Sequence, residues 1–158
     1  RAWDIFPQVA DMLKQYPNTI NRAVLKSPVT KGVLEFLNQC PDKYMYMPIC
    51  YSMKDVETVL QYEDINTVGA EVIARTREDE LFDDAALQRI HELGLFIWVN
   101  AITLDDEHVL FGRLDDDASI IKGPEFGWGR LFEKQIDILQ TDWPSLLYQY
   151  RRSYFQTQ

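Results

Sequence analysis

The period of the hydrophobic positions changes repeatedly along this chain, and the changes divide it into short alternating elements. In residues 4–16 the apolar positions Phe6, Val9, Leu13 and Tyr16 recur every three or four residues, which predicts a helix. Residues 22–27 form a β-type run. Pro28 then marks the N-terminal boundary of a helix carrying Val29, Val33, Phe36, Leu37 and Cys40 on one face. Residues 43–51 are aromatic-rich and extended, and Pro48 within them lacks a backbone donor, so it suits a strand end or a bulge. Ser52 and Asp55 have capping-box spacing ahead of a helix with Val56, Val59 and Leu60.

The same alternation continues to the end of the chain. Residues 66–75 predict a strand with Glu71 among apolar neighbours. Asp83 and Asp84 precede a helix with Leu87, Ile90 and Leu93, and Gly94 ends it. A strand at 95–102 follows, then a long polar stretch from 103 to 126, a short helix around 128–134, a strand from Ile136 and a final helix from Pro144. Five strands, each followed by a helix, predict an α/β fold with a parallel sheet. Two architectures compete, an open doubly wound sheet and part of a (β/α)8 barrel. Both place ligands at the carboxyl ends of the strands.

That rule singles out polar residues near the strand ends: Lys26, Glu71, Asn100, and Gln140 with Asp142. Each has a plainer reading. Lys26 snorkels to solvent, Glu71 pairs with a buried cation or faces a loop, Asn100 satisfies loop backbone, and Asp142 caps the last helix. Together, converging on one opening, they form the pattern of a barrel mouth. Trp98 is either core or an apolar platform there. The run Arg113–Ser119, Arg-Leu-Asp-Asp-Asp-Ala-Ser, invites a hard-cation reading. Consecutive aspartates cannot all face one ion, however, so a solvated loop or helix cap is expected.

Composition narrows the function classes. With 158 residues, 46% of them hydrophobic, the chain is expected to fold as a single globular domain over residues 1–158. No apolar run reaches the roughly 18 residues that span a bilayer. The sequence starts at Arg1, so the expectation is that the original N-terminus, with any targeting segment, has been removed. A net charge of −9 argues against a uniform basic face for nucleic acid but leaves room for a local phosphate site. Cys40 and Cys50 have no metal-ligand spacing and suggest no disulfide framework. His91 and His108 lack partners at triad or metal spacing, and no Gly-rich phosphate loop or nucleophile elbow is present.

Several segments carry a resemblance. Leu-Phe-Ile-Trp-Val-Asn-Ala-Ile at 95–102, the acidic Leu-Asp-Asp-Asp-Ala-Ser, and the stretch 126–150 with its Gln-Thr-Asp-Trp-Pro resemble the C-terminal half of bacterial glycerophosphodiester phosphodiesterases. So do Ala-Trp-Asp-Ile-Phe-Pro at the start and Arg-Ala-Val-Leu-Lys-Ser at 22–27. The resemblance implies a partial TIM barrel comprising strands four to eight. It implies a parent enzyme that hydrolyses glycerophosphodiesters with a divalent cation, Mg²⁺ or Ca²⁺, and two histidines. The family's His-Arg-Gly motif, second histidine and cation-binding carboxylates lie on the first three βα units, outside this sequence, and its strand-three lysine falls near Arg1. No catalytic residue is therefore expected in this chain, which should be inactive alone. Lys26, Trp98 and Asn100 carry over as substrate-contact positions, followed by Glu71, Gln140 and Asp142. The alternative is a non-catalytic, barrel-derived binding or assembly module. In either case the open sheet edges suggest a homo-oligomer or a domain cut from a larger protein.

Overall fold

The computed structural model describes residues 5–16, 18–105 and 107–156. Its sheet has five strands: β1 (Val24–Pro28), β2 (Met45–Cys50), β3 (Gly69–Val72), β4 (Phe96–Asn100) and β5 (Ile138–Gln140). All neighbouring pairs are parallel, and the spatial order is the order in the chain. This settles the architecture. A doubly wound sheet reverses its strand order at a switch point, whereas this one never does.

Among the described residues six α-helices accompany the strands: α1 (Phe6–Leu13), α2 (Lys31–Gln39), α3 (Met53–Leu60), α4 (Asp84–Glu92), α5 (Trp128–Glu133) and α6 (Pro144–Gln156). Their apolar sides pack on one face of the sheet. Phe6, Ala10, Val33, Leu34 and Leu37 cluster with Leu25 and Tyr46 over β1 and β2. Val56, Leu87, Ile90, Trp128 and Leu131 cluster with Val72, Ile97 and Val99 over the remainder. The opposite face carries Lys26, Met47, Glu71, Phe96, Trp98 and Asn100, and among the described residues no helix cluster covers it. Phe96, at its lower rim, is 58% exposed. A single-file parallel sheet with every helix on one side is the wall of a (β/α) barrel, with the uncovered face directed to the interior.

Local signals explain most boundaries. Asp55 Oδ2 accepts from the Ser52 backbone N–H (3.1 Å), the capping box read from the spacing. Asp83 caps α4 by accepting from Ala85 N–H (2.7 Å), and Gly94 follows that helix at φ 77°. Pro28 corrects the expectation. It ends β1 rather than opening a helix, and α2 starts at Lys31. The reason is position: β1 is an edge strand, where the missing N–H interrupts no outer ladder. β3 is shorter than the predicted 66–75, and α1 ends at Leu13 rather than Tyr16; Asp4 lies outside the described residues.

Pro48 sits where β2 loses step with its neighbour. Tyr46 bridges Thr67 and Ile49 pairs with Glu71, so the two residues of β2 between these pairings face three on the other side. The extra residue is a bulge, and Gly69 lies beside it. An added Cβ on Gly69 would stand 2.5 Å from the Phe96 carbonyl oxygen. β3 and β4 can approach this closely only because that side chain is absent.

Burial under the helices also makes the fold sensitive to alkaline pH. The Tyr46 phenol is fully buried and pushed up to about 12, chiefly by desolvation, with its hydrogen bond to Ser27 opposing. Since the unfolded value is near 10, the stability contribution is complete below pH ~10 and declines as the unfolded chain ionises first. We expect stability to fall by about 2–3 kcal/mol through this group between pH ~10 and ~12. Chemical denaturation across that range should show a shallower fall in Tyr46→Phe; equal slopes would remove the assignment.

Candidate functional site

The uncovered face brings four sequence-predicted residues into mutual contact. Glu71, on β3, is in register with Trp98 on β4, and Asn100 lies two residues further along the same face. Lys26 starts one row lower, on edge strand β1. Its long side chain spans β2, and Nζ reaches 2.7 Å from Glu71 Oε2 and 3.8 Å from the centre of a Trp98 ring. Trp98 Nε1 donates to Asn100 Oδ1 (3.1 Å), and Asn100 Nδ2 donates to Glu71 Oε1. Ammonium, carboxylate, amide and indole therefore form a closed circuit.

The electrostatics of this circuit are specific. Glu71 is only 6% exposed, so its charge depends on Lys26 and Asn100 for compensation. Oε2 faces the ammonium without an aligned hydrogen bond, and Lys26 keeps 27% of its side chain in solvent. The lysine can thus exchange its contact with Oε2 for an incoming anion while remaining over the indole face. The cluster offers a cation, a hydrogen-bonding amide and a flat apolar surface. It holds no nucleophile-and-base pair.

Gln140 and Asp142 do not join the circuit. Gln140 pairs in register with Asn100 but is exposed. Asp142 is also exposed, and its backbone N–H, rather than its carboxylate, makes the defining contact. That N–H donates to Asp116 Oδ2 (2.8 Å), while Thr141 Oγ1 and Trp128 Nε1 donate to Asp116 Oδ1 (2.7 and 2.8 Å). The Asp116 backbone N–H in turn donates to Ala101 O (2.6 Å). The expected solvated aspartate loop is corrected here: Asp116 is 2% exposed and ties the end of β4 to the end of β5 and to α5. Asp115 does cap locally, accepting from Ala118 N–H (2.9 Å), and Asp117 is exposed. The sequence reading missed Asp116 as a hub. The one signal was the polar Thr141–Asp142 pair directly after a partly buried strand, whose donors need an acceptor opposite them.

The two histidines and the cysteines have structural settings. His91 Nε2 lies 3.0 Å from Asp137 Oδ2, which also accepts from Ile97 N–H (2.8 Å). His108 pairs with Asp105 in the loop after β4. Cys40 and Cys50 are both free and buried, and the Cys50 thiol is pushed upward by burial, then by Asp55 and Glu71. Beside Asn100, a cleft of about 170 Å³ opens toward Thr103, Asp105, His108 and Asp115. Among the described residues no group of three His, Cys, Asp or Glu side chains could hold a metal ion. Glu71 is committed to Lys26 and Asn100. Arg1 lies outside the described residues.

No curated protein matches the chain. A family model described as a domain of unknown function, DUF4996, matches residues 46–151, about two thirds of the sequence. The matched span contains Glu71, Trp98, Asn100, Gln140 and Asp142, as well as Asp116, and starts after Lys26. The chain belongs to the DUF4996 family of domains of unknown function.

Proposed function

We propose that this chain is the C-terminal part of a metal-dependent phosphoric diester hydrolase of the glycerophosphodiester phosphodiesterase type, and that it supplies the substrate-binding wall. The observation that carries this reading is the meeting of Lys26, Glu71, Trp98 and Asn100 on the one sheet face that no helix cluster covers. A partly solvated ammonium suits a phosphodiester oxygen, the Asn100 amide suits a glycerol hydroxyl, and the Trp98 ring suits the carbon skeleton between them. The cation and the proton-transferring histidines would come from the other arc of the barrel. When bound there, the cation would polarise the phosphoryl group.

A second reading, a non-catalytic assembly or binding module, is favoured by the sheet itself. β1 and β5 each have one neighbour, so both outer edges are available for strands from another chain or another part of the same protein. Hydrolysis assays separate the two readings. The chain alone, given glycerophosphocholine with Mg²⁺ or Ca²⁺, should release no glycerol phosphate. A longer protein that includes the first three βα units should turn the diester over. In that protein Lys26→Ala should reduce kcat/KM by about 10²-fold, the scale of a lost charged contact. Turnover by the isolated chain, or a longer protein without activity, would overturn the hydrolase reading. Sedimentation equilibrium showing a discrete oligomer of an inactive longer protein would favour the module.

A further inference from the structure

The cleft of about 170 Å³ continues from the Lys26–Glu71 circuit at Asn100, the residue common to both. Asn100 is only 6% exposed. Its amide oxygen accepts from Trp98 and its NH₂ donates to Glu71. A carboxamide carries two acceptor lone pairs and two donor hydrogens, so one of each is left for a group in the cleft.

Backbone pairing holds the rest of the lining in place. The loop after β4 returns to the end of β3, where Ala74 N–H donates to Leu110 O (2.9 Å) and Gly112 N–H donates to Ala74 O (2.7 Å). A Cβ at Gly112 would stand 2.4 Å from the Phe82 ring, so this turn is packed against its neighbour. Further along, Asp117 N–H donates to Thr103 Oγ1 (3.1 Å) and Ala118 N–H donates to Asp115 Oδ1 (2.9 Å). In both pairs the side chain accepts. Thr103 keeps its hydroxyl proton to donate, and Asp115 keeps Oδ2 to accept.

The charges in this lining oppose one another. Asp105, Asp115 and Asp117 stand with Arg113 and Lys122, and Asp105 is engaged by His108 Nδ1 at 2.8 Å. With neither sign dominant, the cleft does not concentrate one class of ion. A quaternary ammonium group is held by an aromatic cage. Phe111, the one phenyl ring among the described lining residues, is 2% exposed and presents no cage wall. What the lining offers is donors and acceptors side by side, with Ile102, Leu104 and Ile121 for carbon skeleton. A hydroxyl group both donates and accepts, so an uncharged polyol matches this mixture. A cavity of roughly 150 Å³ holds benzene, which sets the size at about one six-membered ring.

We infer that the cleft bounded by Asn100, Thr103, Asp115 and Ala118 binds a single-ring polyol, and that the phosphodiester substrate carries such a polyol as one of its alcohols. The second clause rests on the hydrolase reading, in which Lys26 takes the phosphate. The first depends only on the cleft.

Titration of the isotopically labelled chain with myo-inositol 1-phosphate and, separately, with phosphocholine, followed by amide NMR shifts, tests this. The inositol ester should shift the Thr103, Asp117 and Ala118 amides saturably, and phosphocholine should bind about tenfold more weakly. Ala118→Leu places a larger side chain in the cleft, and Thr103→Val removes the hydroxyl. Each should weaken the inositol ester by about tenfold. Lys14→Ala, on α1, should leave it unchanged. Thermal midpoints measured in parallel show which variants are folded, and the valine variant decides if the leucine one is not. No saturable shift at these amides, equal affinity for the two esters, or undiminished binding in the folded variants overturns the inference. Binding of the inositol ester by a longer protein that hydrolyses no glycerophosphodiester would support the cleft assignment while ending the hydrolase reading.

Discussion

Asp116→Ala is expected to lower the unfolding free energy by about 4 kcal/mol. Three donors converge on this buried carboxylate: Trp128 Nε1, Thr141 Oγ1 and Asp142 N–H. Each neutral-to-charged hydrogen bond contributes about 1.5–3 kcal/mol, and truncation leaves the donors in a space too small to hydrate all of them. The full sum is not reached, because Thr141 can rotate its hydroxyl and the exposed segment around Asp142 can take up water. Asp116→Asn should cost about 2 kcal/mol. Its amide oxygen can serve Trp128 and Thr141, but its NH₂ then confronts the Asp142 N–H. Urea unfolding followed by tryptophan fluorescence gives both values, and an alanine variant within about 1 kcal/mol of the parent would remove the hub assignment.

The second large effect belongs to the Lys26–Glu71 pair. Lys26→Met takes the counter-charge from a carboxylate that is nearly excluded from water, leaving it a single hydrogen bond from Asn100. Breaking a buried pair costs about 3–5 kcal/mol. Because the lysine is partly solvated, about 2–3 kcal/mol is the better expectation here. The diagnostic variant is the double one. In Lys26→Met/Glu71→Gln the charge is gone, the glutamine oxygen still accepts from Asn100, and the methionine still covers Trp98. Most of the loss should therefore be recovered. If the two single effects simply add, the residues do not act as a charge pair, and the circuit has no role in stability.

These two sites share a physical theme. The outer face of the sheet is apolar and tolerates rearrangement among side chains of similar volume. The polar contacts that matter lie where the strands end or where the sheet face is uncovered. There they fix the separation of β4 from β5 through Asp116 and the direction of Lys26 through Glu71. A ligand reaching the uncovered face would meet Lys26 and Asn100 already oriented, with little side-chain entropy left to lose.

Periodicity and local residue signals determined the α/β class, the five strand–helix repeats, the capping box at Ser52 and the glycine stop at Gly94, because these depend on neighbours within a few residues in the chain. The strand-end rule drew attention to Lys26, Glu71 and Asn100, which meet, and to Gln140 and Asp142, which do not join them; Trp98, read as core or platform, shares their face because strand alternation fixes which side chains do. Tertiary structure decided the rest. Only the pairing order separates a single-file wall from a doubly wound sheet, because both produce the same alternating pattern along the chain. Only packing shows that Asp116, between two other aspartates, is the buried one. Such contacts join residues tens of positions apart, and no local propensity carries information about a partner at that distance.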